Sequence, residues 1–563
     1  MKVLGISDNH CSGAALVEDG KLTAAVNQER LDRIKNSGVF PWDAVDAVLA
    51  MRGLKPSDIN LIAVASEITP SFPLRLLGRF HRKIRSAVSQ FSYIYNSYIF
   101  YQVVARKLWP IYALDAWACR KLMEKRFAER GFSCSVKLVE HHECHAAASH
   151  LTSPFDRATI ITADAMGDAI SLTVSIGEPD GAIRRIFAQS GYASINPYYT
   201  RITELLGFVP NRHEGKVTGL AAYGDPFPLI ELFNRICHFV GPGFSKWSLL
   251  KPSSLKIGTY HFLKKQAKQN VAAACQQNLE NEISKFVRYH LSATKIPYLV
   301  LGGGIFENVK VNGTLARLPE VQGLYIFPNM SDGGIAVGAA LIEGRGIKQP
   351  LATPFLGPSY SRVEIEKAIA GSDLPVRQMT DPADEIGNLL AMGHVVCRFS
   401  GSLEYGPRAL GHRSILYRPD DPSVIDWLNR TLDRSGFMPF APVVSAEKTS
   451  DLFQNFSKVS FTGRFMNVAL PATEYMAERC GGVVHVDKTA RPQFVTPGDD
   501  TGLSEILSAY EKRTGLCALL NTSFNMHEEP IVSSPADAVR AYLASGLDYL
   551  VLDDLLAGPR KKQ

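Results

Sequence analysis

The sequence predicts an α/β protein of two domains, the first of them built from a repeated unit. Three observations carry this expectation. A strand-rich opening over residues 3–26 recurs over 158–187, about 155 residues further on. A short apolar strand at 298–301 runs into Gly302, Gly303 and Gly304, which separate it from a segment able to begin a helix. After about residue 350 the composition shifts, and Pro350, Pro354 and Pro358 punctuate a connection, so domains are expected at 1–350 and 351–563. At 563 residues the chain can bury more than one core, and 46% hydrophobic with 21% charged residues is the make-up of a soluble globular protein. A formal charge of +6 is mild for this length; it does not call for nucleic acid, and anionic small substrates suffice to explain it.

The first element is a strand at 3–7, and the chain turns polar at Ser7 and Asp8, too early for a secretion signal. Two more strands follow at 12–17 and 22–26 around Glu18-Asp19-Gly20. The pattern repeats as 158–162, 170–176 and 182–187 around Pro179-Asp180-Gly181. Nine scattered cysteines, never spaced as Cys-x-x-Cys, suit reduced thiols in the cytoplasm rather than a disulfide framework or a zinc ribbon. Residues 86–105 lack charge and are rich in aromatics (Phe91, Tyr93, Tyr95, Tyr98, Phe100, Tyr101), with Arg79, Arg82, Lys83 and Arg85 before them and Arg106 and Lys107 after. Ser, Gln and Asn recur through this run, which makes it too polar to span a membrane. It reads as a helix packed on the domain surface, or as an acceptor lid or membrane-surface patch.

Residues 136–139 form a short strand leading into Glu140-His141-His142-Glu143-Cys144-His145 and an alanine-rich helix. His141 and His145 then fall one turn apart on one face, where two imidazoles can share a divalent ion; such pairs also occur without metal. Glycines 302–304, between strand and helix, let backbone N–H groups face a phosphate or nucleotide, or serve a tight turn. In the second domain, residues 401–414 gather Arg408, Arg413, three glycines, Pro407 and Glu404. Arginine forks grip phosphate or carboxylate bidentately, and glycine lets backbone approach the anion. The alternative is a structural arginine-rich turn.

Residues 401–414 resemble the arginine signature of the NodU/CmcH-type O-carbamoyltransferase family. The paired hairpins likewise resemble the two lobes of the actin-like (ASKHA, duplicated RNase H-like) fold, whose hairpins face a nucleotide held between them. His141-x-x-x-His145 is similar to the family's metal motif, and Asp332 in Ser331-Asp332-Gly333-Gly334 holds the place of its third ligand. Further matches lie at 28–35, 214–224, 356–361, 485–493 and 519–526, so the resemblance runs from about residue 3 to 555.

The resemblance implies an actin-like, metal-dependent transfer domain followed by a YrdC-like α/β domain that forms carbamoyl adenylate from carbamoyl phosphate and ATP. The carbamoyl group then passes to a hydroxyl of a small-molecule acceptor, a sugar or natural product. His10 is placed as the base for that hydroxyl, with Arg408 and Arg491 also catalytic. Expected nucleotide contacts are Asp164, Gly167, Lys216, Gly302, Gly303, Gly304, Asn308 and Asn312. The adenylate site is assigned to Arg408, Arg413, Arg491, Asn521, Ser523 and Asn525, and the metal, iron(II) in this family, to His141, His145 and Asp332. Mg2+ would accompany ATP. No nucleic acid and no transmembrane segment are expected, and a homodimer is allowed.

The chain departs from the family pattern at Cys11, where Asp or Asn usually follows the histidine, and at four positions in the second domain. Leu432, Ser435 and Met438 stand where charged residues are usual, and Ser402 where an arginine is. Each lost charged hydrogen bond is worth about 1.5 to 3 kcal/mol, so adenylate synthesis is the half-reaction these changes touch. Other readings of the same features are a binding or scaffold homologue without adenylation and an actin-like sugar kinase.

Overall fold

A computed structural model describes residues 1–77, 93–245, 257–431 and 439–559. Leu432, Ser435 and Met438 lie outside the described residues, as do Arg79, Arg82, Lys83, Arg85 and the first part of the aromatic run. The chain divides into two compact units, the first of residues 1–28 and 36–351, the second of 29–35 and 352–563.

The first unit contains the same sheet twice. β1 (Lys2–Ser7), β2 (Gly13–Glu18) and β3 (Lys21–Asn27) form an antiparallel meander, and β4 (Leu61–Ala65) and β5 (Ser135–Val139) add parallel to β1, giving the order β3-β2-β1-β4-β5. β2 and β3 are joined by a two-residue turn at Asp19-Gly20, both at positive φ, which matches the twist of the flanking strands. β6 (Ala158–Gly167), β7 (Ile170–Gly177), β8 (Ile183–Ser190), β9 (Tyr298–Gly302) and β10 (Gly323–Ile326) repeat this as β8-β7-β6-β9-β10, with the same directions. Two copies of one RNase H-like sheet make the two-lobed, actin-like arrangement expected from the paired hairpins. The difference from expectation is in β6, which runs 10 residues rather than ending at 162 and so carries Asp164 and Gly167 inside the strand.

Strands β1, β4, β6, β7 and β9 are buried almost throughout, because helices cover the sheets. Helix Ile335–Glu343 packs on β1, β2 and β4 and against helix His141–Leu151, so the second helix is held between the sheets' contents and cannot shift without disturbing the core.

The second unit is built on a mixed sheet of eight strands in the order β11-β20-β19-β12-β13-β18-β14-β17. These are β11 (Val376–Gln378), β12 (Val396–Phe399), β13 (Arg413–Tyr417), β14 (Ala441–Ser445), β17 (Gln493–Val495), β18 (Ala518–Ser523), β19 (Tyr549–Leu552) and β20 (Leu555–Ala557); β15 (Leu470–Pro471) and β16 (Thr489–Ala490) pair separately. Helix Pro535–Ser545 starts with a capping box: Ser534 Oγ accepts from Asp537 N and the Asp537 carboxylate accepts from Ser534 N.

The expected 1–350 domain is corrected at residues 29–35, which count with the second unit. The reason is two arginines. Arg30 donates from Nη2 to Gly406 O at 2.7 Å, and Arg33 donates to Pro530 O and Ile531 O at 2.7 and 2.6 Å.

Candidate active site

Helix His141–Leu151 begins directly after β5, and two carboxylates hold its first turn. Glu140 caps it by accepting the Glu143 N–H at 2.8 Å. Asp168, fully buried in the β6–β7 turn, accepts the N–H groups of His141, Glu67 and Ile68, each at 2.9 Å. A negative group at a helix N-terminus is favourable, and here it also ties the helix start to the chain that leaves β4.

From that anchored start, His141 and His145 bring their Nε2 atoms to 3.1 Å from each other. Asp164, in β6, sets Oδ2 3.3 Å from His145 Nε2 and 3.6 Å from His141 Nε2. Asp332, in a 3-10 turn after β10, sets Oδ1 3.5 Å from His141 Nε2 and 3.7 Å from His145 Nε2. The ligand atoms of all four residues lie within 4.8 Å of one another. Asp164 Oδ2 and Asp332 Oδ1 are buried without a hydrogen bond of ordinary geometry. Two orphaned carboxylate oxygens beside two converging imidazole nitrogens are costly unless a cation satisfies them, and a set of two nitrogens and two oxygens fits a divalent metal.

The local charges follow from this crowding. Burial alone would depress His141, yet Asp332 and Asp164 push it up to about 9. Asp332 is raised, by burial first and by the neighbouring Asp164 second. His142 is held well below the usual histidine range by burial and then by the two imidazoles beside it. It donates to Ile170 O at 3.0 Å and pairs with Thr162 Oγ1 at 2.7 Å, a core role rather than a ligand role.

Behind the cluster, His141 Nδ1 meets Ser66 Oγ at 2.9 Å, and Ser66 Oγ accepts from Asn9 Nδ2 at 2.9 Å. With Nδ1–H donating to Ser66, Nε2 keeps its lone pair for a metal. Asn9 precedes His10, which lies half-buried in the β1–β2 connection. Asp8, on its other side, is locked by Arg75 through two bonds of 3.0 Å.

The residues expected to contact a nucleotide divide. Asp164 stands within the His/Asp cluster, because β6 continues past 162. Gly167 is there for packing: a Cβ would lie 2.0 Å from His141 Cγ. Gly303 has φ 101 and a Cβ there would meet Ala163 O at 2.2 Å, so β9 can turn only with glycine, and Gly302 and Gly304 flank it beside Ser149 and Asp164. Asn308 caps helix Val309–Ala316 by accepting from Lys310 N and Val311 N, and Asn312 donates to Phe306 O at 2.7 Å. These bonds serve the local fold. Lys216 sits half-buried on helix Glu214–Ala221.

In the second unit the three matched motifs converge on neighbouring strands. The arginine segment runs into β13, which pairs antiparallel with β18, so Ser414 faces Ser523 and Leu416 faces Asn521. β18 pairs with β14, and β14 with β17, which continues the motif at 485–493. Gln493 donates to Leu410 O at 2.6 Å, and Asn521 donates to Ala409 O at 3.3 Å and to Gln493 Oε1 at 2.8 Å. Glu404 Oε1 accepts three N–H groups, from Leu410, His412 and Arg413, each at 2.9 Å. The one acid of the segment is thus its organiser, a role its sequence position did not announce.

Arg413, expected at the adenylate, has a clamping place in this structure. It is fully buried, donates to the carbonyls of Ser400, Gly401 and His412, and lies 3.6 Å over the Phe399 ring. Burial holds it down to about 10. Asn525 Nδ2 donates to Met526 O and Glu529 O at 2.9 Å. Arg408, Arg491 and Ser523 are half-buried. His412, which sequence reasoning passed over, donates to Ser402 O at 2.6 Å, stacks on Phe355 at 3.6 Å and lies 3.4 Å from Asp500.

Fold and sites define a two-unit α/β protein with a metal-type His/Asp cluster in one unit and an arginine loop in the other. The family models described as carbamoyltransferase N-terminus and carbamoyltransferase C-terminus match residues 2–341 and 387–558, and the chain belongs to the carbamoyltransferase family. It is 32% identical over 566 residues to the nodulation protein NolNO of Sinorhizobium fredii, covering 98% of this chain and 79% of the relative. It is 30% identical over 436 residues to the nodulation protein NolO of Bradyrhizobium diazoefficiens, covering 75% of this chain and 79% of that one. A solved structure of full-length HypF, in its phosphate- and nucleotide-bound form, aligns with a TM-score of 0.32 at 11% identity, covering 61% of this chain and 46% of HypF.

Proposed function

We propose that the protein is an ATP- and metal-dependent O-carbamoyltransferase that uses carbamoyl phosphate. In this reading the second unit plays the YrdC-like part. Water hydrolyses carbamoyl phosphate to carbamate and inorganic phosphate, and a carbamate oxygen then attacks the α-phosphorus of ATP, displacing pyrophosphate and leaving carbamoyl adenylate. Arg408 and Arg491 would hold the anionic oxygens, while Glu404, Gln493, Asn521 and Arg413 keep the loop that carries Arg408 in shape.

In the first unit the acceptor hydroxyl attacks the carbamoyl carbon. Its proton passes to His10, the bond from that carbon to the phosphate oxygen breaks, and AMP departs with the electron pair. His141, His145, Asp164 and Asp332 would hold a divalent ion, iron(II) in this proposal, which when bound supplies Lewis-acid stabilisation of charge on phosphate and carbonyl oxygens. Mg2+ would accompany ATP. Ser66 and Asp168 keep the imidazoles aimed. The acceptor is a hydroxyl-bearing small molecule in this reading, and nine scattered cysteines, never spaced as Cys-x-x-Cys, suit a cytoplasmic setting.

The observation that carries this reading is the pairing of the four-residue His/Asp cluster with a separately braced arginine loop in one member of the carbamoyltransferase family. The test is pyrophosphate and AMP release from ATP without acceptor. Release that requires carbamoyl phosphate, vanishes in Arg408→Ala and survives in His145→Ala supports two sites with two tasks. No release in the wild type, with ATP still bound, overturns the adenylating half, and ADP as product would assign a kinase.

A further inference from the structure

The first half of helix Trp109–Ala128 is apolar on two faces, and the protein buries one of them. Tyr112, Asp115, Cys119, Met123 and Phe127 are buried at the three-and-four spacing of a single face. On the other side Leu114 is 65% and Trp117 53% exposed, with Ile111 beside them, and Trp109 at the first turn is 72% exposed. Helices Phe72–Leu76 and Tyr93–Lys107, packed against this one, add exposed Leu76 and Phe100, and Leu77 and Leu108 continue the surface. Neighbouring exposed apolar side chains of this size mark a place where something binds.

The charge around it says what. Among the described residues Lys107, Arg120, Lys121 and Lys125 are exposed on this helix and the one before it. Of the acids there, Asp115 is buried, Glu124 is shared by Lys121 at 2.6 Å and Arg120 at 3.8 Å, and Glu129 lies 4.0 Å from Lys125, so the exposed side keeps more positive than negative groups. Lys121 and Lys125 follow Leu114 and Trp117 along the outer side of the helix. Tryptophans and aliphatic residues beside lysines suit the headgroup boundary of a bilayer, where rings sit at the interface and ammonium groups meet lipid phosphates. Stacked nucleic-acid bases would use the aromatics but leave Leu76, Leu77, Ile111 and Leu114 without a partner. Among the described residues no helix is long and apolar enough to cross a membrane, so this face would lie on a bilayer rather than in it.

We propose that the face formed by Leu76, Trp109, Ile111, Leu114, Trp117 and Lys121 docks the protein on an anionic phospholipid surface. The test mixes the full chain with vesicles of phosphatidylcholine alone and with vesicles that also contain phosphatidylglycerol, followed by sedimentation and tryptophan emission. The protein sediments with the anionic vesicles, less so as salt is raised, and its emission shifts to the blue. Lys121→Glu with Lys125→Glu lowers the partition coefficient about tenfold or more. Ile111→Ser with Leu114→Ser removes the blue shift. These side chains are exposed, and an unchanged thermal melt checks that both variants fold. No sedimentation with anionic vesicles, or equal partitioning of wild type and the lysine variant, overturns the proposal. Binding to an oligonucleotide without binding to vesicles overturns it in favour of nucleic acid. Dimerisation lost in the serine variant, again without vesicle binding, would assign the face to a second copy of the chain.

Discussion

Single side chains in this protein act mostly by holding others. Ser66, at φ 73, stands between Asn9 and His141 and sets which imidazole nitrogen is left for a metal. Ser66→Ala should lower metal affinity by about 10-fold to 100-fold with the fold intact, read by competition with a chelator; unchanged affinity would remove Ser66 from that role. Asp500 gives a pH prediction. Against its burial, Arg398 and then His412 hold its carboxyl well below the usual carboxylate range. Its folded pKa is below its unfolded value, so its stabilisation is present above about pH 4 and fades as pH falls below that. Asp500→Asn should therefore be less stable than wild type at neutral pH, with the gap narrowing in acid; a gap independent of pH in urea titrations would contradict this.

At the scale of elements, β6 shows how much the sequence discloses. Its hairpin with β7, the matching β1–β2–β3 hairpins and the strand before Gly302 were all readable, because alternation and turn residues are local signals. The His141 and His145 pair was readable for the same reason, lying one helical turn apart. The extension of β6 to Gly167 was not, since residues 163–167 gain strand structure only from pairing that the fold supplies, and with it went the place of Asp164. Nor did any local signal reveal Glu404, Ser66 or Asp168, whose partners lie elsewhere in space. Gly167 tests the element directly. Gly167→Ala puts a methyl 2.0 Å from His141 Cγ, so the variant should lose bound metal, measured per mole of protein, while acceptor-free pyrophosphate release stays at the wild-type rate. Full metal content would show that β6 or the ring can give way.

For the whole molecule, the decisive fact is that residues 29–35 count with the second unit although 36–351 follow them in the first. Arg30 and Arg33 there make three charged hydrogen bonds to carbonyls of that unit, one of them at Gly406 in the arginine loop. Such bonds are worth about 1.5 to 3 kcal/mol each. Residues 352–563 expressed alone should therefore melt well below the corresponding transition of the intact chain, and Arg30→Ala with Arg33→Ala should reproduce part of that loss; equal melting temperatures would show the segment to be dispensable. The duplicated first unit invites a picture of two modules joined end to end, and hydrophobic patterning alone supports it. The threading of seven residues out of one unit and into the other changes what recombination can do with this gene. A single crossover near residue 351 would hand each offspring a loop from one parent and its clasp from the other, so the two halves can drift apart in sequence only as fast as those few arginines and carbonyls let them, and a working chimera must transplant the small segment together with the large one.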